Sequence, residues 1–292
     1  MMGDRSLMRN YKRRPLMVIT TLMDNTAMEH KGMIAEHGFS CLVELPHTTV
    51  LLDTGATGAF VANARTLGKD LSQLEHIVIS HGHFDHGGGL RTLLEECHPQ
   101  QATLWTGKGF SDPKFSVSAT ERSFKGNDFD AAYVRSQGVE WKTAVDGTTE
   151  ITKGVWLVTD FSRIHPMEKP NPRFHVQRDG QDRVDDFSDE VMLVIESSQG
   201  LVLLVGCSHP GIVNMVDTVK TRFKAPIRAL LGGIHLVDAS EERTEWVLDA
   251  LARRDIGTLG VSHCTGQSAA ARLSALVEDF SVNAAGNVWE LE

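Results

Sequence analysis

Three histidines and one aspartate fall within six residues in Ser80-His81-Gly82-His83-Phe84-Asp85-His86. Imidazole nitrogens and carboxylate oxygens are typical zinc donors. On extended chain His81 and His83 share one face by the two-residue period, and the glycines at 87–89 let the chain carry Asp85 and His86 around the same point. Four such donors exceed what one tetrahedral ion can use once water takes a position. The spacing therefore predicts two metals. A single histidine beside a strand is usually an ordinary core or surface residue, but four ligand-type side chains in one glycine-rich loop serve no packing purpose.

The elements around this loop explain how it could be held. The apolar run at 76–79 reads as a strand that ends in the loop, and 90–97 reads as the helix that follows it. The same order recurs. A strand at 201–205 runs into Gly206-Cys207-Ser208-His209-Pro210-Gly211 and a helix at 212–223. A strand at 227–231 ends in Gly232-Gly233-Ile234-His235, and one at 258–262 ends in His263-Cys264-Thr265-Gly266, each with a helix after it. Cys207 and His209 face one site if the chain stays extended there, whereas Cys264, next to His263 on a strand, is expected to face the other way and serve packing. Earlier, strands at 17–23, 39–45 and 50–52 lead to Asp53-Thr54-Gly55, where Asp53 either caps the turn or orients a ligating histidine from behind. Strand ends are where open α/β sheets place their sites.

Composition bounds the remainder. At 292 residues and 41% apolar content the chain can bury a large core. It contains no run of about 18 apolar residues that would cross a membrane. Residues 1–14 read as a flexible leader without a secretory h-region, and 15–292 as a single domain carrying an insertion at about 107–187. The net charge of −9 gives no general footprint for nucleic acid. Cys41, Cys97, Cys207 and Cys264 are widely spaced, which argues against a disulfide framework and fits a reduced, cytoplasmic setting. Within the insertion, Arg163 is the expected anion contact, and the free amides at the helix start after Gly211, near Asn214, are a second anion holder.

These residues resemble a known family. His81-Gly82-His83-Phe84-Asp85-His86 resembles the His-x-His-x-Asp-His signature of the metallo-β-lactamase superfamily, and Leu52-Asp53-Thr54-Gly55 the strand-turn that precedes it. The segments 206–214, 232–236 and 263–266 resemble a subgroup that includes the dihydropterin ribofuranosylaminobenzene phosphate synthases. The resemblance implies an αββα four-layer sandwich, α/β in class, with its site at one edge between the halves. It assigns His81 and His83 to a first metal, Asp85 and His86 to a second, and His263 to the second; His209 is the candidate third histidine of the first. Where relatives carry a bridging aspartate this chain has Cys207, so the bridge is Cys207, water alone, or absent. The subgroup's Thr-Gly-Glu-Ile-Pro-Arg segment is replaced here by Thr159-Asp160-Phe161-Ser162-Arg163.

The leading expectation is a hydrolase that uses a metal-activated water on a small phosphorylated or ester-like substrate, with two divalent ions, zinc first and iron or manganese as alternatives. Asp85 and His235 are the candidate catalytic residues, His235 through substrate contact or proton transfer. Arg163, Gly211 and Asn214 would bind the substrate, a small anionic molecule; a homo-oligomer is compatible with this reading. One alternative is a synthase joining an arylamine to a pterin diphosphate with loss of pyrophosphate. Another is a metal-dependent ligand-binding protein without turnover.

Overall fold

Strand by strand, the alternation of apolar side chains sends residues to two different cores. Leu201, Leu203 and Val205 pack under helices, while Val202 and Leu204, on the opposite face of the same strand, pack against a second sheet. The computed structural model describes residues 17–29, 31–145 and 147–292, so the leader expected at 1–14 lies outside the described residues. It contains two seven-stranded sheets and one of four strands. The first large sheet runs, in spatial order, Val288–Leu291, Met17–Met23, Ser40–Leu45, Thr48–Leu52, His76–Val78, Thr103–Gly107, Glu140–Ala144. The second runs Phe280–Val282, Ile256–Val261, Ile227–Gly232, Gly200–Val205, Met192–Ser197, Val155–Val158, Thr148–Thr152.

Val50, Leu52, Val78, Leu157, Leu193, Val202 and Leu231 fill the space between the sheets. Leu51 and Ile77 face outward to the helices Ala59–Thr66 and Leu90–Cys97, which bury Phe60, Val61, Leu90, Leu93 and Leu94. On the far side, the helix Ile212–Phe223 buries Ile212, Met215, Val216 and Val219, the i, i+3, i+4, i+7 stripe of an amphipathic helix. It packs with the helices Glu241–Ala252 and Gln267–Leu273. The layers are therefore helix, sheet, sheet, helix, as expected from the sequence. The last helix is shorter than the 267–279 read from the sequence, because the chain leaves it to form the edge strand Phe280–Val282. Among the described residues no helix is long and apolar enough to cross a membrane.

The stretch 107–187 takes three roles. Glu140–Ala144 joins the first sheet, Thr148–Thr152 and Val155–Val158 join the second, and Lys114–Val117, Arg122–Phe124, Phe174–Arg178 and Gln181–Val184 make the small third sheet. A fully buried cation ties that small sheet down: Lys114 Nζ donates to Asp185 Oδ2 and Asp189 Oδ1, both at 3.0 Å. Replacing only one partner of a buried charge cluster leaves the other charges uncompensated. Lys114→Met is therefore expected to lower unfolding free energy by about 3–5 kcal/mol in urea denaturation, whereas Arg122→Met, at the exposed pair with Asp182, is expected to change it by less than about 1 kcal/mol.

Candidate metal centre

Five strand ends converge at one edge of the two large sheets: that of His76–Val78, which leads into His81–His86, and four that each make the turn with a residue in the left-handed region. Asp53 has φ 59°, Ser208 61°, His235 43° and His263 45°. Non-glycine residues adopt this backbone at some cost in energy, and here two of the four are themselves site histidines and the other two adjoin them.

His81, His83 and His209 form the inner cluster. All three are buried, their donor atoms lie within 4.8 Å of one another, and the Nε2 of each has no hydrogen-bond partner among the described residues. Burial holds each of the three rings well below the usual histidine pKa, so they are neutral at pH 7, the form that binds a metal. Ser80 Oγ lies 3.0 Å from His81 Nδ1 and donates to Asp53 Oδ2 at 2.9 Å, so His81 Nδ1 carries its proton towards Ser80 and Nε2 is left for the shared centre. His209 stacks face to face on Phe187 at 3.8 Å.

Asp85, His86 and His263 form the outer cluster. Asp85 Oδ2 is 3.2 Å from His263 Nε2 and 3.9 Å from His86 Nε2. Behind them, His86 Nδ1 donates to Asp53 Oδ2 at 2.6 Å and His263 Nδ1 to Asn25 Oδ1 at 2.7 Å. Asp53 thus orients a histidine, one of the two roles read for it from the sequence, and turns His86 Nε2 inward. Buried donor nitrogens without partners are rare in folded chains, and here they point at common centres, so the residues present fit divalent cations.

Cys207 Sγ stands 3.1 Å from His86 Nε2, between the two clusters. His235 lies against His209 with ring centroids 4.2 Å apart; its Nε2 is 3.4 Å from Asp238 Oδ1, and neither ring nitrogen has a hydrogen-bond partner among the described residues. Cys264 corrects an expectation. It is buried, as anticipated, yet its sulfur faces the site: Cys207, His263 and Cys264 bring their donor atoms within 4.8 Å of one another. Strand alternation fails there because His263 is left-handed and opens a 3₁₀ turn, His263–Thr265. A cavity of about 200 Å³ opens beside these residues, lined by His83, Asp85, His209, His235, His263 and both cysteines, with Lys125, Arg173, Phe174 and Asp238 at its walls. A larger cleft of about 740 Å³ by Phe110 and Trp141 has no unpartnered buried polar side chain among its described lining residues and contains none of the histidines.

The residues expected to hold an anion are engaged elsewhere. Arg163 donates to the carbonyl of Asp186 and does not line the cavity. The helix start after Gly211 does receive an anion, but it is the chain's own: Glu168 accepts from the amides of Val213 at 2.9 Å and Asn214 at 2.7 Å. The Asn214 side chain accepts from the amides of Ile164 and His165. Residues the sequence reading passed over do more. Asp189 Oδ2 accepts from the amide of Gly82 at 2.8 Å, and Glu190 accepts from the amides of Ser208 at 3.0 Å and His209 at 3.4 Å. No motif marks this pair. His37 also reaches the outer cluster, and its only sequence signal is a histidine-glycine pair before a strand instead of after one.

A sandwich of two mixed sheets with such an edge site defines a class, and the comparisons agree. The model of the metallo-beta-lactamase superfamily matches residues 34–263, and the chain belongs to that superfamily. It is 27% identical, over 92% of its length and 95% of the relative's, to a 7,8-dihydropterin-6-methyl-4-(beta-D-ribofuranosyl)-aminobenzene-5'-phosphate synthase of Methanocaldococcus jannaschii. It is also similar to the crystal structure of a metal-dependent hydrolase of the beta-lactamase superfamily, with a TM-score of 0.82, 32% identity, and 94% of this chain and 99% of that one covered. The fold implies divalent metal binding, and the His, Cys and Asp groups described above could hold it.

Without metal, burial lowers the His86 pKa but Asp53 and Asp85 outweigh it, lifting the ring to about 9 from 6.5. Burial lifts Glu190 to about 8 from 4.5. Both groups bind a proton more tightly folded than unfolded, so their contribution to stability is greatest at low pH and is lost as pH rises through the folded values. Above pH 6.5 the three inner histidines are neutral folded and unfolded alike, so urea unfolding of chelator-treated protein is expected to show stability falling between about pH 7 and pH 9. Asp53→Asn is expected to flatten that fall.

Proposed function

We propose that this chain is a metal-dependent hydrolase acting on a small anionic substrate, a phosphoester or a related ester, with two divalent ions, zinc foremost. The observation that carries the reading is the unpartnered Nε2 of His81, His83 and His209, gathered in a buried cluster at the wall of an open cavity. His81, His83 and His209 would hold one ion, and Asp85, His86 and His263 the other. Ions so held supply Lewis acidity and lower the pKa of a water toward neutrality. Lys125 and Arg173 line the cavity and favour a negatively charged substrate. Arg173 lies 3.6 Å from Asp238, which leaves it orientable and only loosely paired. His235, beside His209 and 3.4 Å from Asp238, is placed to pass a proton to a leaving group. Cys207, close to His86, is a lining or bridging sulfur. The four free cysteines agree with a reduced, cytoplasmic setting.

A synthase is the second reading, favoured by the near full-length likeness to an enzyme of that name. In that reaction an arylamine displaces pyrophosphate, and the same basic side chains would hold the leaving group.

Elemental analysis of protein purified without chelator is expected to find two ions per chain. Turnover of model phosphodiesters and esters is expected to fall at least ~100-fold in His86→Ala and His81→Ala, with metal content reduced. Full activity with full metal content in either variant defeats the proposal. Pyrophosphate release from a pterin diphosphate only when an arylamine is present would select the synthase.

A further inference from the structure

His37 reaches the outer cluster from just ahead of a strand and not from a strand end. His37 Nε2 lies 3.2 Å from Asp85 Oδ2, its ring centroid is 4.7 Å from that of His263, and the donor atoms of His37, Asp85 and His263 all lie within 4.8 Å of one another. Its side chain is 65% exposed, so packing does not explain where it points.

The backbone around it is fixed on both sides. Phe39 N donates to the carbonyl of Asp85 at 3.2 Å, and Gly38 N donates at 3.3 Å to Asn25 Oδ1, the same oxygen that receives His263 Nδ1. Just before it, the Glu36 carboxylate accepts from Thr57 N at 3.1 Å and Thr57 Oγ1 at 2.7 Å. A Cβ at Gly38 would stand 2.7 Å from the Asp85 carbonyl oxygen and 2.9 Å from Ala56 N, so glycine is what allows the chain to pass this close. These contacts hang His37 over Asp85 on the cavity side, where it joins the lining.

In a tetrahedral zinc site with bonds near 2.0–2.1 Å, adjacent donors are about 3.4 Å apart. The His37–Asp85 and His263–Asp85 separations are both 3.2 Å. We propose that His37 is a ligand of the second ion, together with Asp85, His86 and His263. This rests on the dinuclear reading above. It makes the second position one whose ligand shell is completed from the solvent side, so that ion enters and leaves past His37 while the inner one stays enclosed.

The test is zinc titration of the full, metal-stripped chain against a chromogenic chelator, for the unchanged protein, His37→Ala and His37→Gln. Glutamine keeps a donor for the Asp85 carboxylate but is a poor zinc ligand. Both variants are expected to bind the first ion as before and the second at least ~10-fold more weakly, while the melting temperature of the stripped protein stays unchanged. A second ion held as tightly in either variant as in the unchanged chain overturns the role of His37 alone. Uptake of a single ion by the unchanged chain overturns it together with the dinuclear reading.

Discussion

The cost of collecting imidazoles in a dry place governs this molecule. His81, His83, His86, His209 and His263 are buried together, and each ring must satisfy two nitrogens. A buried polar atom without a partner costs about 1–3 kcal/mol, and a crowd of protonated rings would repel. The chain meets the problem on one side only. Ser80, Asp53 and Asn25 take the outer nitrogens of His81, His86 and His263, and burial keeps the inner cluster neutral. The inward nitrogens have no protein partner at His81, His83 and His209. Their cost is offset when a cation binds, so the fold is built around something it does not itself supply.

The two sheets make this arrangement affordable in backbone terms. Parallel strands such as Gly200–Val205, Ile227–Gly232 and Ile256–Val261 end side by side, so short turns bring distant residues to one edge. Strain at Asp53, Ser208, His235 and His263 is confined to those turns, while the interlocked aliphatic layers beneath remain regular. Gly206 and Gly233 serve the same end. A Cβ at Gly206 would stand 2.1 Å from Ser80 Oγ, and one at Gly233 would stand 2.6 Å from Cys264 Sγ.

What could be read from the sequence was whatever is local. The loop from His81 to His86 declares itself because its ligands are adjacent, and the strand-turn-helix order that presents His209, His235 and His263 is likewise short-range. The strands and helices followed from the same periodicities, while their four-layer arrangement came from the family resemblance. Cys264 was misread because alternation presumes extended backbone, and the left-handed turn at His263 is a tertiary matter. The helix start after Gly211 was read as a holder of the substrate's anion, and nothing local shows that Glu168 occupies its amides. Lys114 carries a charge that suggests the surface, and only the pair of aspartates folded over it explains its complete burial. His37 precedes its strand, so a search of strand ends passes it by.

The adjacent carboxylates of Asp189 and Glu190 have a mechanical meaning. One grips the amide of Gly82, between His81 and His83, and the other grips the amide of His209. The loops come from different sheets, and a single dipeptide reaches both. The dipeptide therefore couples the turn of His81 and His83 to the turn of His209, much as a gauge block holds two jaws at a set distance.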